Sequence, residues 1–296
     1  MHIPQRLTKG DEIRIISTAR KITLSELKPA LNWITDQGFT YSFGAHIFES
    51  FHQFAGTDKQ RASDLITALE DENVKAIWCA RGGYGSIRLM PFLQNIDPTK
   101  NLKWVIGYSD VTVIHAWLMS KSIMSLHATM PINVKDNTPE SLKSLIECLT
   151  TDEVSYEWTG EFSNEIDVQG KIVGGNLSML YSLNGTPWQY KTDGCILFFE
   201  DLDEYLYHID RMLQTLQYGG WFSNIKAILV GGMSDMNDNN IPFGFSAKES
   251  ILNITNTLNI PIVFDFPVGH QNNNLAVPIG QRARLTTGTK NQLIIG

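Results

Sequence analysis

Short apolar runs alternate with amphipathic helical segments along the first half of this chain. Glu12–Ser17 and Lys75–Ala80 have the β-branched or apolar character of strands, whereas Leu24–Gln37 has the apolar spacing of a helix. Thr57 is suited to cap a further helix over Asp58–Glu70. Because strands that alternate with helices form βαβ units, this half is predicted to be an α/β domain with a doubly wound, mostly parallel sheet.

The second half is predicted to be a separate, mixed α+β domain. An apolar strand covers Cys195–Glu200, and the tail Arg282–Ile295 alternates in the manner of antiparallel strands. A polar stretch with several acidic residues separates the halves. We therefore assign an N-terminal domain to residues 1–150, a linker to 151–169 and a C-terminal domain to 170–296.

The charge balance and cysteine usage limit the partners and the compartment. The formal net charge is −7, so the chain is a poor counter-ion for phosphate backbones, and nucleic acid is not an expected partner. The three cysteines are odd in number and far apart, which suits a reducing compartment and offers no zinc spacing. No apolar run approaches the ~20 residues of a membrane helix, and no export signal pattern opens the sequence. A cytoplasmic protein without membrane contact is expected.

The turn around Ser109 is the sharpest local feature of the sequence. A buried strand, Trp104–Gly107, is followed within two residues by this serine and then by a helix. A serine in such a turn is held above the sheet with its hydroxyl exposed, as in a nucleophile elbow, although Val111 replaces the last glycine of the usual motif. The N–H groups of the next helical turn would face the atom that the hydroxyl attacks. Ser109 or Asp110 could equally cap the helix, and the local pattern alone favours capping.

A nucleophilic serine needs a base and a group that orients the base. His127, at a strand end, and His270, in a Gly/Asn-rich loop after a strand, are the two candidate bases. Each histidine taken singly is more typical of a structural role. Glu200 is the first acid after a fully apolar strand, where a carboxylate is held rigidly, and Glu204 is its rival. Acidic residues at this point also favour a helix N-terminus.

A glycine-rich turn follows the strand that ends at Ala80. Arg81–Gly85 has glycine at three of its last four positions, so backbone N–H groups can approach an anion or a carbonyl oxygen closely. The spacing is neither that of a dinucleotide fingerprint nor that of a P-loop. An oxyanion-binding or carboxylate-binding loop and an ordinary strand-to-helix turn both remain open.

Taken in order, these segments resemble the LD-carboxypeptidase family of serine peptidases, which includes muramoyltetrapeptide carboxypeptidases and microcin-immunity proteins. Each block is weak by itself, but the blocks occur in the family's order from the first strand to the last. The matching blocks are Ala80–Gly85, Ile106–Thr112, Val173–Ser178, Leu197–Asp201 continued by Ile209–Leu213, Gly269–His270 and Val277–Gly280.

The resemblance implies a catalytic triad in which Ser109 is the nucleophile, His270 the general base and Glu200 the residue that orients His270. It also implies an active site between the two domains, a homodimer, and no metal or organic cofactor. Two departures from the family pattern, Gln271 after the histidine and Ala128 after His127, concern the substrate pocket rather than the triad.

The resemblance further implies how the substrate is held. The backbone N–H groups of Gly83 and Asp110 would form the oxyanion hole. A free terminal carboxylate on the substrate calls for a cation or a cluster of N–H groups, for which Arg81 and Gly82 are the candidates. For Arg81, a structural salt bridge is an equally weighted alternative to binding the substrate's carboxylate.

The function that the resemblance implies is release of the terminal D-alanine from murein tetrapeptide during peptidoglycan recycling. One alternative is a microcin-immunity-type peptidase that cleaves peptide–nucleotide conjugates, for which Trp188 or Trp221 would stack on the base. The other is a non-catalytic module that holds a small anion in the glycine loop.

Overall fold

The computed structural model describes all 296 residues, Met1–Gly296, and is built on two β-sheets. The strands are β1 (Glu12–Ile16), β2 (Thr40–Phe43), β3 (Val74–Cys79), β4 (Trp104–Gly107), β5 (Ser125–His127), β6 (Val154–Trp158), β7 (Asp167–Asn176), β8 (Ile196–Leu202), β9 (Ala227–Ser234), β10 (Ile262–Val263), β11 (Val277–Ile279), β12 (Arg282–Thr286) and β13 (Asn291–Ile295). The helices are α1 (Leu24–Asp36), α2 (Asp58–Glu70), α3 (Met90–Leu93), α4 (Thr112–Ser120), α5 (Pro139–Thr150), α6 (Leu177–Leu183), α7 (Leu206–Tyr218) and α8 (Ala247–Leu258). None of these helices has the length and apolar character needed to cross a membrane.

The first sheet has the predicted mostly parallel architecture. Its strand order is β11-β5-β4-β3-β1-β2, in which β1 to β5 are mutually parallel. Strand β11, from near the end of the chain, pairs antiparallel with β5 at one edge. Because the carboxyl ends of parallel strands meet at one edge of the sheet, the loops after β1, β3 and β4 come together there.

The second sheet is mixed, as predicted for the C-terminal half. Its order is β10-β9-β8-β7-β12-β13-β6, with β7 to β10 parallel and the remaining pairs antiparallel. The antiparallel hairpin β12–β13 accounts for the alternation seen in the tail.

Two strands depart from the expected division of the chain. The predicted linker, residues 151–169, contains β6, which pairs with β13 at the edge of the second sheet. Val154, Tyr156 and Trp158 of β6 are buried, and exposed Ser155 and Glu157 alternate with them. This two-residue period is a strand signal that the polar surroundings of the segment conceal. Strand β11, assigned by sequence to the C-terminal part, belongs instead to the first sheet.

A close contact between the halves positions the helix that follows the serine turn. The Oγ1 atom of Thr112, the first residue of α4, accepts a hydrogen bond of 3.1 Å from the backbone N–H of Asn176. A Cβ atom at Gly175 would lie 2.5 Å from the same oxygen, so only glycine allows β7 to approach this closely. This contact brings the end of the second sheet beside the turn that carries Ser109.

Candidate active site

Ser109 lies in a strained turn at the carboxyl end of β4. The chain leaves β4 at Gly107, forms a 3-10 turn over Ser109–Val111 and continues into α4. Ser109 has a φ of 61°, in the left-handed region that residues with a side chain rarely adopt. Such a conformation costs on the order of 1–3 kcal/mol and persists only where the surroundings enforce it. The turn has the form of a nucleophile elbow, in which the backbone strain lifts the hydroxyl above the sheet.

Three side chains from distant parts of the chain form a continuous hydrogen-bonded chain. Ser109 Oγ lies 3.1 Å from His270 Nε2, across 161 positions of sequence. His270 Nδ1 lies 2.6 Å from Glu200 Oε2, and Glu200 is fully buried. The backbone N–H of His270 also donates to the same carboxylate oxygen at 3.2 Å. An ionised carboxylate only accepts, so Nδ1 carries the proton and Nε2 is free to accept the serine proton.

Opposing effects set the pKa of the His270 ring. Burial by itself lowers the pKa, since it penalises the charged imidazolium. The negative charge of Glu200, its hydrogen bond and the charge of Asp201 outweigh burial, so the pKa of His270 lies above its usual value. Burial, and then the charge of Glu200, raises the pKa of Asp201 to about 6. The imidazolium that forms when His270 takes a proton is therefore stabilised by its surroundings.

The substitution Asp201→Asn is expected to move the acidic limb of the pH–activity profile to lower pH. A histidine that acts as a base must be neutral, so if His270 is the base, kcat/KM for hydrolysis rises as pH passes upward through its pKa. Removing the charge of Asp201 destabilises the imidazolium and lowers that pKa. The measurement is kcat/KM against pH for the wild type and the variant, with thermal melting to verify folding. An acidic limb that stays in place, or moves to higher pH, would contradict this assignment.

Glu204, the rival carboxylate, does not contact His270. Its Oε2 atom lies 2.6 Å from Nδ1 of His208 in the first turn of α7, and its Oε1 atom lies 2.7 Å from Ser178 Oγ. The carboxylate that contacts His270 is that of Glu200. The two acids differ because Glu200 lies within β8, whereas Glu204 lies in the turn before α7.

His127, the rival base, is enclosed in the core rather than directed at the serine. It is fully buried in β5, with ring centroids 5.1 Å from Phe198 and 5.9 Å from Tyr108. Burial holds the pKa of its ring well below the usual value. His127 makes no hydrogen bond to Ser109, whose imidazole partner is His270.

The two backbone groups predicted to form the oxyanion hole belong to the glycine turn and to the serine turn. The N–H groups of Gly83 and Asp110 donate to no acceptor within the protein. A Cβ atom at Gly82 would lie 3.4 Å from Ser109 Oγ, so the glycine turn and the serine turn are in contact. The buried Asp110 carboxylate accepts a 2.8 Å hydrogen bond from the backbone N–H of Ser86, which ties the two turns together.

Arg81 is engaged in a structural ion pair. Its Nη1 atom lies 3.6 Å from Glu26 Oε1 and donates to the carbonyl of Lys21 at 3.3 Å. A second arginine, Arg20, lines the same cleft as Ser109 and was not singled out in the sequence. Its position just after β1 is the signal that could have indicated it, because that loop shares the sheet edge with the serine turn.

Ser109 and His270 open onto a cleft of about 580 Å³ that is lined by residues from both halves of the chain. The first half contributes the arginines of its lining and the second half contributes the carboxylates at the end of β8. The lining residues that carry charge or the triad's polar groups are Arg20, Arg81, Ser109, Asp110, Asp201, Asp203, Glu204 and His270. A larger cavity of about 940 Å³, lined in part by Trp188, shares no residue with this cleft. No group of three His, Cys, Asp or Glu side chains is arranged to hold a metal ion.

A serine, an imidazole and a buried carboxylate in this order are the arrangement that serine hydrolases use. The sequence model of the LD-carboxypeptidase N-terminal domain family matches residues 13–128. The corresponding family model of the C-terminal domain matches residues 169–285. The chain belongs to the LD-carboxypeptidase family. It is 31% identical to a probable murein peptide carboxypeptidase of Bacillus subtilis, over 98% of this chain and 93% of that protein.

Solved structures show the same fold. The crystal structure of muramoyltetrapeptide carboxypeptidase from Oxalobacter formigenes is 30% identical, with a TM-score of 0.88 over 96% of this chain and 98% of that one. The microcin C7 self-immunity protein MccF is 22% identical, with a TM-score of 0.89 over 99% of this chain and 98% of that one. At that identity the likeness to MccF concerns the fold alone.

Proposed function

We propose that the protein is a serine carboxypeptidase that hydrolyses the L,D-peptide bond of murein tetrapeptide and releases the terminal D-alanine. The observation that carries the proposal is the hydrogen-bonded chain from Ser109 through His270 to Glu200, set above a strained turn. The names of the Bacillus subtilis and Oxalobacter formigenes relatives support murein peptide as the substrate class. Recycling of peptidoglycan fragments would supply such a peptide.

In the acylation step, Ser109 Oγ attacks the carbonyl carbon of the L-configured residue, and its proton passes to His270 Nε2. Glu200 holds the proton on Nδ1 and stabilises the imidazolium that forms. The N–H groups of Gly83 and Asp110 donate to the oxyanion of the tetrahedral intermediate. A positioned base typically contributes ~10²–10⁴-fold, and one oxyanion donor about 2.7–4 kcal/mol.

The intermediate then collapses as the bond between the carbonyl carbon and the amide nitrogen breaks. His270 gives its proton to the departing nitrogen, and D-alanine leaves as the free amine. Water next attacks the acyl-enzyme while His270 accepts one of its protons. Collapse of the second intermediate returns that proton to Ser109 Oγ and releases the tripeptide as a carboxylic acid.

Neither tryptophan considered for the microcin-immunity alternative lines the cleft. Trp221 is fully buried, and Trp188 lines the other cavity, so neither faces the cleft. A non-catalytic anion module would need neither the 3.1 Å contact between Ser109 and His270 nor the strained serine. Both alternatives are therefore less well supported than the carboxypeptidase.

Purified protein incubated with murein tetrapeptide is expected to yield the tripeptide and free D-alanine. Mass spectrometry of the mixture detects the loss of one alanine, and chiral analysis of the released amino acid identifies it as the C-terminal D-alanine rather than the N-terminal L-alanine. The control is the same peptide ending in L-alanine, which should remain intact because the proposed specificity is for an L,D bond. Persistence of the D-terminal tetrapeptide, or equal cleavage of both peptides, would refute the proposed specificity.

A further inference from the structure

Arg20 is a cation in the catalytic cleft that has no partner within the protein. It lines the cleft together with Ser109 and His270. Arg81, the other arginine of the lining, is paired with Glu26, whereas Arg20 forms no ion pair and its side chain donates no hydrogen bond. An unpaired guanidinium in an active-site cleft is free to bind an anionic group of the substrate.

Close packing connects Arg20 to the reacting serine. Gly83 has a φ of +111°, and a Cβ atom there would lie 2.6 Å from both Cδ and Nε of Arg20. The arginine therefore lies directly against the bare backbone of Gly83. Gly82, the preceding residue, is in contact with Ser109. Arg20 thus lies beside Gly83, a predicted oxyanion donor, and Gly83 directly follows the glycine that contacts Ser109.

The substrate of a carboxypeptidase carries its negative charge close to the bond that breaks. The terminal carboxylate is attached to the carbon that bears the scissile nitrogen, so it lies only a few bonds from the attacked carbonyl. The second half of the chain contributes Asp201, Asp203 and Glu204 to the cleft lining, and their carboxylates repel this group. The unpaired cation beside the glycine turn is therefore the group in the lining that matches it in charge and position.

We propose that Arg20 binds the terminal carboxylate of the leaving residue and thereby restricts the enzyme to peptides with a free C-terminus. The inference rests on the proposed function, since it assigns a substrate group to the same site. Charge-assisted hydrogen bonds from a guanidinium to a carboxylate give both affinity and orientation. Arg20 acts here as a specificity-determining residue, while the bond-breaking steps belong to the triad.

The test compares two peptides in two arginine variants. One peptide is the tetrapeptide acid and the other is the same peptide with an amide at its C-terminus. In the wild type, kcat/KM for the acid should exceed that for the amide. Arg20→Met should lower kcat/KM for the acid by roughly 10- to 100-fold, the effect of one charge-assisted hydrogen bond. It should leave the amide reaction nearly unchanged, so that the preference for the acid disappears.

Arg81→Met is the matched control, because it removes the other arginine of the lining. It should leave the ratio of the two kcat/KM values as in the wild type, whatever its effect on overall rate. Arg20→Lys, which keeps the positive charge, should restore part of the preference. Thermal melting verifies that each variant is folded. An unchanged ratio in Arg20→Met, or a lost preference in Arg81→Met alone, would overturn the assignment.

A binding measurement separates this inference from the proposed reaction. Calorimetry of Ser109→Ala with the two peptides should show tighter binding of the acid, and the added Arg20→Met substitution should abolish the difference. If the wild type cleaves neither peptide while this binding difference is present, the proposed reaction fails and the carboxylate site stands. If the wild type releases D-alanine but acid and amide bind equally, or the acid does not bind, the reaction stands and the carboxylate site fails.

Discussion

Replacing Ser109 with alanine is expected to lower kcat for D-alanine release by about 10⁴-fold or more, because the attacking oxygen is removed. Alanine fills nearly the same space and adopts the same left-handed backbone at a similar cost, so the fold should survive. The measurement is release of D-alanine from murein tetrapeptide by purified protein, with circular dichroism and thermal melting as measures of folding. Turnover close to that of the wild type would exclude Ser109 as the nucleophile.

Two comparisons make the serine experiment specific. Ser182→Ala removes an exposed hydroxyl on α6, outside the cleft, and should leave the activity as it is. The double variant Ser109→Ala/His270→Ala should be about as inactive as the single serine variant, since a base without its nucleophile has nothing to activate. A further large loss in the double variant would mean that His270 contributes to hydrolysis independently of Ser109.

Glu200→Gln is expected to lower kcat by about 10²–10⁴-fold, whereas Glu204→Gln should reduce it far less. The amide of glutamine preserves the size of Glu200 but cannot hold the proton on His270 Nδ1 or stabilise the imidazolium by charge. Glu204 instead contacts His208 and Ser178, neither of which belongs to the triad. The measurement is D-alanine release by each variant under the same conditions.

The pH profile of Glu200→Gln gives a second readout that simple misfolding would not produce. The charge and hydrogen bond of Glu200 raise the pKa of His270, so their loss should move the acidic limb of the remaining activity to lower pH. Glu204→Gln should leave that limb close to its place in the wild type. If Glu204→Gln were the less active variant, the orienting role would pass to Glu204.

The local elements of the fold follow directly from the sequence. The strand β4 and the helix α2 have the bounds that their patterns predict, Trp104–Gly107 and Asp58–Glu70. Periodicity and capping residues act over a few neighbouring positions, so they can be recognised in a linear sequence. The edge strand β6 escaped prediction because its buried residues are separated by polar ones in a polar stretch. The short strand β11 pairs with a strand about 150 positions away, which no local pattern encodes.

The candidate site, like the fold, could be predicted from the sequence only in part. The sequence by itself determined which residue types stand at which strand ends, and the order of the blocks determined the family. The residues alone left His127 and Glu204 open as rivals, and the resemblance implied His270 and Glu200. Only the tertiary structure shows the contacts themselves: His270 rather than His127 meets Ser109, Glu200 rather than Glu204 meets His270, and Arg20 rather than Arg81 is unpaired. The physical reason is that each choice depends on contacts between residues far apart in sequence. Those contacts are set by how the two sheets pack, and a linear pattern of neighbouring residues carries no record of them.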